Sequence, residues 1–171
     1  MIRQPQATDG RAVKALIDSC PPLDSNSLYC NLLQCTHFAA TCALAEVDGR
    51  PVGFASGYLV PDETPHTLFI WQVAIAGEAR GQGLGRRLIL DILGRPGCAQ
   101  VSRIETTIGP DNMASWGLFE SLARRLGAKS EREVMFDRHK HFAGEHDSEI
   151  VLRIAPIVRN VRDLDATNEV A

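Results

Sequence analysis

The sequence predicts an α/β fold: a single mixed, twisted sheet with helices on both faces. Three observations carry that prediction. Strand-like and helix-like periodicities follow one another along the 171 residues in the order β-α-α-β-β-β-α-β-α-β-β. The near-continuous apolar run Leu68-Phe69-Ile70-Trp71-Gln72-Val73-Ala74-Ile75 suits a central strand covered on both faces. Directly after it, Arg80-Gly81-Gln82-Gly83-Leu84-Gly85 and then Arg86-Arg87 open an apolar helix. Glycines let backbone N–H groups approach a ligand, and a helix N-terminus adds partial positive charge, so this turn is a candidate anion site.

Residues 2–4 predict a short edge strand ended by Pro5. Thr8 and Asp9 offer N-cap chemistry to a helix whose apolar face is Val13, Leu16 and Ile17, stopped by Pro21-Pro22. The Asp24-Ser25-Asn26-Ser27 cluster caps a second helix with Leu28, Leu32 and Leu33 on its buried side. Strands over 42–47 and 51–59 flank Asp48-Gly49, a two-residue hairpin signal. After the loop 61–65 comes the central strand. Leu84, Leu88, Ile89, Ile92 and Leu93 then place a helix behind the glycines. A fifth strand spans 104–108, and a helix over 112–126 buries Leu118, Phe119, Leu122 and Leu126 before Gly127. Strands over 132–136 and 150–154 follow, around a charged loop. The expected domain ends at residue 156, and 157–171 reads as a flexible tail.

A composition of 44% hydrophobic and 23% charged residues is that of a globular chain, long enough to bury a core. A net charge of −3 with pI about 5.9 argues against nonspecific nucleic-acid or membrane binding. No stretch approaches the ~20 apolar residues of a membrane span, and the N-terminus has no apolar signal core, so a cytoplasmic address is expected. Cys20, Cys30, Cys35, Cys42 and Cys98 show no C-x-x-C spacing and read as small buried hydrophobes. His139, His141 and His146 lack a second motif, and no metal is expected.

The glycine run is not a Walker loop, because no Gly-Lys-Ser/Thr follows. It also misses the dinucleotide fingerprint, whose third glycine would fall at Arg86. Arg-x-x-Gly-x-Gly after a strand, in this element order, resembles the coenzyme A pyrophosphate loop of the GCN5-related N-acetyltransferases. The resemblance implies acetyl-CoA as co-substrate, held by Arg80, Gly81, Gln82, Gly83, Leu84, Gly85 and Arg86. It places the thioester against the strand backbone at Val73, Ala74 and Ile75, with Val73 and Ala74 stabilising the developing oxyanion. Asn112 and Ser115 match the family's contacts to the pantetheine and adenosine arm. The family's frequent general-acid tyrosine falls at Phe119, which has no proton to give.

The segments 20–29, 37–42, 53–58, 71–74 and 145–149 further resemble the L-2,4-diaminobutyrate acetyltransferases of ectoine synthesis. That resemblance implies a small diamino-acid substrate, γ-acetylation in a ternary complex, and a homodimer. Such a substrate needs carboxylates for its ammonium groups, a donor for its carboxylate and a base for one amine. The candidates are Asp24, Tyr29, Trp71, His146 and Glu149 for binding and Glu105 as base. Each also has a plain reading: Asp24 as an N-cap, Tyr29 and Trp71 as core aromatics, Glu105 as a solvent-facing carboxylate, His146 and Glu149 as loop charges. Two other functions fit the same motif. One is an acetyltransferase for another amine, such as a protein N-terminus or polyamine; the other is a non-catalytic acyl-CoA sensor.

Overall fold

In the computed structural model, residues 1–157 are described. The strands are β1 (Ile2–Arg3), β2 (Ala43–Val47), β3 (Arg50–Leu59), β4 (Thr67–Ile75), β5 (Arg103–Ile108), β6 (Lys129–Phe136) and β7 (Glu149–Ala155). The helices are α1 (Gly10–Asp18), α2 (Leu28–Gln34), α3 (Leu84–Leu93) and α4 (Met113–Leu126). The strands form one sheet in the order β1-β2-β3-β4-β5-β7-β6. The pairs β1–β2, β2–β3, β5–β7 and β6–β7 are antiparallel, whereas β4 and β5 run parallel, which makes the sheet mixed. The predicted element order is therefore observed. The tail expected over 157–171 lies outside the described residues except for Ile157, whose N–H donates to the Ser102 carbonyl at 2.9 Å.

The chain divides into two compact units, Met1–Leu59 with Ile70–Gln100, and Val60–Phe69 with Val101–Ala171. In the first, α1 and α3 pack on β3, and Val13, Ile17, Leu44, Phe54, Leu88, Ile89 and Ile92 are buried. The hairpin between β2 and β3 turns at Asp48 (φ 49°) and Gly49 (φ 74°), the two positive-φ positions the Asp-Gly pair predicts. In the second unit, β7 lies between β5 and β6, and Leu68, Ile104, Ile108, Phe119, Leu122, Leu126, Leu152 and Ile154 are buried. Phe119 is thus a core aromatic. The β4–β5 ladder pairs Thr67 with Arg103, Leu68 with Ile104 and Phe69 with Glu105.

Three local expectations are corrected. The side chain of Asp9 makes no cap bond to α1; its carboxylate accepts from the Gln6 N–H at 2.7 Å and pairs with Arg3 at 2.8 Å. A turn of 3-10 helix, Ala7–Asp9, precedes α1 and takes the carboxylate backwards. The buried side of α2 is Asn31 and Gln34, while Leu28 is exposed and Leu32 and Leu33 are half-buried. The two buried amides bond to each other at 2.9 Å, which removes one donor and one acceptor from the count of unmet polar groups. Finally, β4 is not covered evenly. Leu68, Ile70, Gln72 and Ala74 are buried, but Phe69, Val73 and Ile75 are half-buried and Trp71 is exposed. A central strand with one incompletely covered set of side chains has room beside it for a ligand.

Candidate active site

The first unit carries the glycine turn. β4 ends at Ile75, a 3-10 turn (Gly77–Ala79) follows, and Gly81 (φ 76°) and Gly83 (φ 69°) take the left-handed backbone that glycine adopts without strain. Gly83 is the N-cap of α3 and has no side chain to close the helix end. The N–H groups of Leu84, Gly85 and Arg86 are in the first helical turn, where no intrahelical acceptor exists. The turn is exposed from Arg80 to Gly83. Arg80 Nε donates to the Ile75 carbonyl at 3.0 Å and Gln82 Nε2 to the Glu78 carbonyl at 3.1 Å, which pins the turn to the strand it leaves. The result is an exposed glycine turn leading into the free N–H groups of a helix N-terminus, with Arg80, Arg86 and Arg87 in the same run.

Asp24, Tyr29, Trp71, Val73, Ala74 and Ile75 belong to the same unit. Gln72 Nε2 donates to the Asp24 carbonyl at 2.8 Å, and Asn26 Nδ2 donates to Gln72 Oε1 at 2.9 Å. One buried glutamine thereby ties the Asp24–Asn26 loop to the middle of β4 and leaves Asp24 exposed. Asp24 is not the N-cap of α2. That position is Ser27, whose hydroxyl accepts from the Cys30 N–H at 3.1 Å. Tyr29 is 71% exposed and Trp71 49% exposed, so neither is the core aromatic of the plainer reading. Ala74 is buried and Val73 half-buried.

The second unit holds Glu105, Asn112, Ser115, His146 and Glu149. Glu105 is 7% exposed, which excludes the solvent-facing reading. Its carboxylate meets two guanidiniums, Arg153 Nε at 3.0 Å from across the β5–β7 ladder and Arg103 Nε at 3.2 Å. Arg103 also pairs with Glu63 at 2.6 Å and Arg153 with Glu133 at 2.6 Å, giving the series Glu63–Arg103–Glu105–Arg153–Glu133. The Arg103 guanidinium holds the Glu63 carboxyl below its usual range. Asn112 is the N-cap of α4, its Oδ1 accepting from the Ser115 N–H at 3.1 Å. That bond is the local reason for an asparagine at the start of α4.

Glu149 starts β7, opposite Phe136, and its Oε1 lies 4.0 Å from where a Cβ on Gly109 would stand. His146 Nδ1 contacts the Asp147 carbonyl at 2.8 Å in an exposed turn. Glu149 thus lies by Gly109, four residues and about 13 Å along the strand direction from Glu105. Glu149 is set apart from Glu105, and His146 lies in the turn before β7. No group of three or more metal-ligating side chains occurs among the described residues. Burial pushes the Cys42 thiol up to about 12 and the Cys35 thiol to about 11, the values of inert structural thiols.

Sequence reasoning missed three sets of residues. Gln72 was legible as the one polar side chain in an apolar strand. Arg103 and Arg153 carried no motif; Arg103 stands two residues before Glu105 on the same strand, and only the β5–β7 register sets Arg153 opposite it. The third set, Gln34, Phe38, Ser56 and Tyr58, is scattered over 25 positions and lines a cavity with Gly57 and Trp71.

Comparison with known proteins agrees with the geometry. Residues 12–123 match the Acetyltransferase (GNAT) family. The L-2,4-diaminobutyric acid acetyltransferase of Methylotuvimicrobium alcaliphilum is 50% identical over 155 residues, covering 91% of this chain and 90% of that protein. The enzyme of the same name from Halomonas elongata is 48% identical over 156 residues, covering 91% and 80%. Among solved structures, the diaminobutyrate acetyltransferase of Paenibacillus lautus, in complex with its substrate L-2,4-diaminobutyric acid and coenzyme A, superposes with a TM-score of 0.87. It is 36% identical and covers 93% of this chain and 96% of its own. The ribosomal-protein-S18-alanine N-acetyltransferase of Escherichia coli shares the fold alone, at 19% identity and a TM-score of 0.62. The chain belongs to the GNAT acetyltransferase family and, within it, to the L-2,4-diaminobutyric acid acetyltransferases.

Proposed function

We propose that this protein transfers the acetyl group of acetyl-CoA to the γ-amine of L-2,4-diaminobutyrate, the acetylation step of ectoine synthesis. The observation that carries the reading is the likeness to the Paenibacillus lautus enzyme along nearly the whole of both chains. The exposed glycine turn supports it from this chain's own residues, because a pyrophosphate suits a row of backbone donors at a helix N-terminus.

The residue roles follow from chemistry. Arg80 to Arg86 hold the pyrophosphate, and Asn112 and Ser115 border the rest of coenzyme A. Asp24, Tyr29, Trp71, His146 and Glu149 are the substrate-binding set. Glu105 accepts a proton from the γ-ammonium, so its pairing with Arg103 and Arg153 loosens as substrate binds. The freed amine forms a C–N bond with the thioester carbonyl. The Val73–Ala74 backbone stabilises the oxyanion, the C–S bond breaks, and coenzyme A leaves as a thiolate. Phe119 is buried and has no acidic proton, so the thiolate takes its proton from water or from the substrate ammonium. No acyl-cysteine step is included, since four of the five cysteines are buried.

The enzyme works in the cytoplasm as a homodimer. Exposed Leu28 and Tyr29 on α2, and Val134, Met135 and Phe136 on β6, give apolar surface for such an association. Light scattering of the purified protein tests the dimer. Steady-state coenzyme A release with diaminobutyrate, ornithine, lysine, a polyamine and a short peptide tests the reaction, with product NMR to locate the acetyl group. Turnover confined to the peptide would overturn the substrate.

A further inference from the structure

The first unit contains a cavity of about 200 Å³ lined by Gln34, Phe38, Ser56, Gly57, Tyr58 and Trp71. Three of the six are aromatic, and none is charged. Phe38 and Trp71 are partly exposed, whereas Gln34 (2% exposed) and Ser56 (1%) are buried in the wall. The Ser56 hydroxyl has no hydrogen-bond partner, and neither has half of the Gln34 amide. The other half is joined to Asn31, which is left with one unmet group of its own. Turning both amides over preserves that bond and exchanges which group of each is left, so Gln34 can present an acceptor or a donor. Buried polar atoms without partners cost free energy unless a ligand or water meets them.

The walls are held in place. Arg95, paired with Asp91 at 2.6 Å, donates through Nη1 to the carbonyls of Ala39, Ala40 and Cys42 at 2.7–3.1 Å. The Thr41 hydroxyl donates to the Gly57 carbonyl at 2.7 Å. These bonds fasten the segment after Phe38 to the residues that follow α3 and to β3. A neutral, aromatic-walled cavity offers little to a carboxylate, which needs strong donors. It suits an ammonium group, which is drawn to ring faces and donates to hydroxyl and amide oxygens. The size suits a small amino acid rather than a drug-sized ligand. Trp71 precedes Val73 by two residues, about 7 Å along a strand.

We propose that this cavity is the specificity subsite for the second ammonium of the acceptor, the α-ammonium that is not acetylated, with Phe38, Ser56 and Tyr58 acting beside Trp71. The inference rests on the diaminobutyrate reading and adds to it the feature that separates a diamino acid from a monoamine.

The experiment has two arms. In the first, kcat/KM is measured for diaminobutyrate and for 4-aminobutyrate, which keeps the γ-amine and carboxylate but lacks the α-ammonium. The wild type prefers diaminobutyrate. In Phe38→Leu and Ser56→Ala the ratio of the two constants falls about tenfold. Equal losses on both acceptors, or an unchanged ratio, would overturn the subsite. The second arm needs no turnover: tetramethylammonium is titrated while the indole N–H resonance of Trp71 is followed. A saturable shift in the wild type, weakened in Phe38→Leu, supports the subsite; an unresponsive Trp71 overturns it. A Trp71 response in a protein that does not acetylate diaminobutyrate would keep the cation subsite and sink the functional reading. Circular dichroism melts of both variants identify any loss that is merely unfolding.

Discussion

The glycine turn and the β5–β7 pair treat charge in opposite ways. From Arg80 to Arg86 the chain is mostly exposed, and Arg80 is tied to the protein through its Nε to one carbonyl. Along β5 and β7, by contrast, Glu63, Arg103, Glu105, Arg153 and Glu133 follow one another in ion pairs. A site of the first kind gains affinity when an anion arrives. One of the second kind already has its charges met, and an incoming ammonium must take the place of a guanidinium. On the proposed roles, donor binding depends on backbone shape, and acceptor chemistry depends on an exchange of partners.

Glu105→Gln attacks the second region at its centre. Loss of a positioned general base lowers kcat by about 10³, while KM for acetyl-CoA stays within about twofold of the wild type. Arg153→Gln sharpens the point, because Glu105 then keeps only Arg103. If the substrate ammonium replaces Arg153, KM for diaminobutyrate falls in this variant; a raised KM would break the exchange idea. The glycine turn is broken by Gly81→Val. A Cβ there meets nothing within 4 Å, so the effect comes from forcing a β-branched residue to φ 76°. KM for acetyl-CoA rises about tenfold on kinetic assay, with KM for diaminobutyrate unchanged.

A smaller effect is expected of Asn112→Ala, which removes the cap of α4. The cost is about 1 kcal/mol, a fall in Tm of roughly 2–4 °C by calorimetry. If Asn112 also borders coenzyme A, KM for acetyl-CoA rises as well. The smallest effect concerns Arg3, a third arrangement of charge remote in sequence from both regions. It pairs with Asp9 at 2.8 Å and Glu46 at 2.6 Å, and its guanidinium holds both carboxyls below their usual 3.8 and 4.5. Depressed carboxyl values give stability that is present above the ordinary range and lost as pH falls through the folded values. Arg3→Ala therefore costs roughly 0.5 kcal/mol at neutral pH. Urea melts of variant and wild type converge as the pH falls through the depressed values of the two carboxyls.

The same contrast explains what could be read in advance. Gly81, Gly83 and the Asp48-Gly49 hairpin were legible because positive φ is written into residue type. The element order was legible because strand and helix periods differ. The inner side of α2 was not, because Leu28, Leu32 and Leu33 carry the apolar signal while Asn31 and Gln34 are buried as a mutually bonded pair. Nor was the even burial expected of β4, where apolar residues such as Phe69 and Val73 remain partly open. Trp71 and Tyr29 were named but not placed, since an aromatic side chain reads alike in a core and in a cleft. Of the two partners of Glu105, Arg103 sits two residues away on the same strand, but Arg153 comes from a strand almost fifty residues away, a distance at which no local pattern operates.

The most direct test of the account is acetyl transfer to L-2,4-diaminobutyrate by purified protein, with the acetylated nitrogen located by NMR. The account predicts turnover with diaminobutyrate well above ornithine, lysine or a peptide, and acetyl on the γ-nitrogen alone. Acetyl on the α-nitrogen, or preference for another amine, would contradict it.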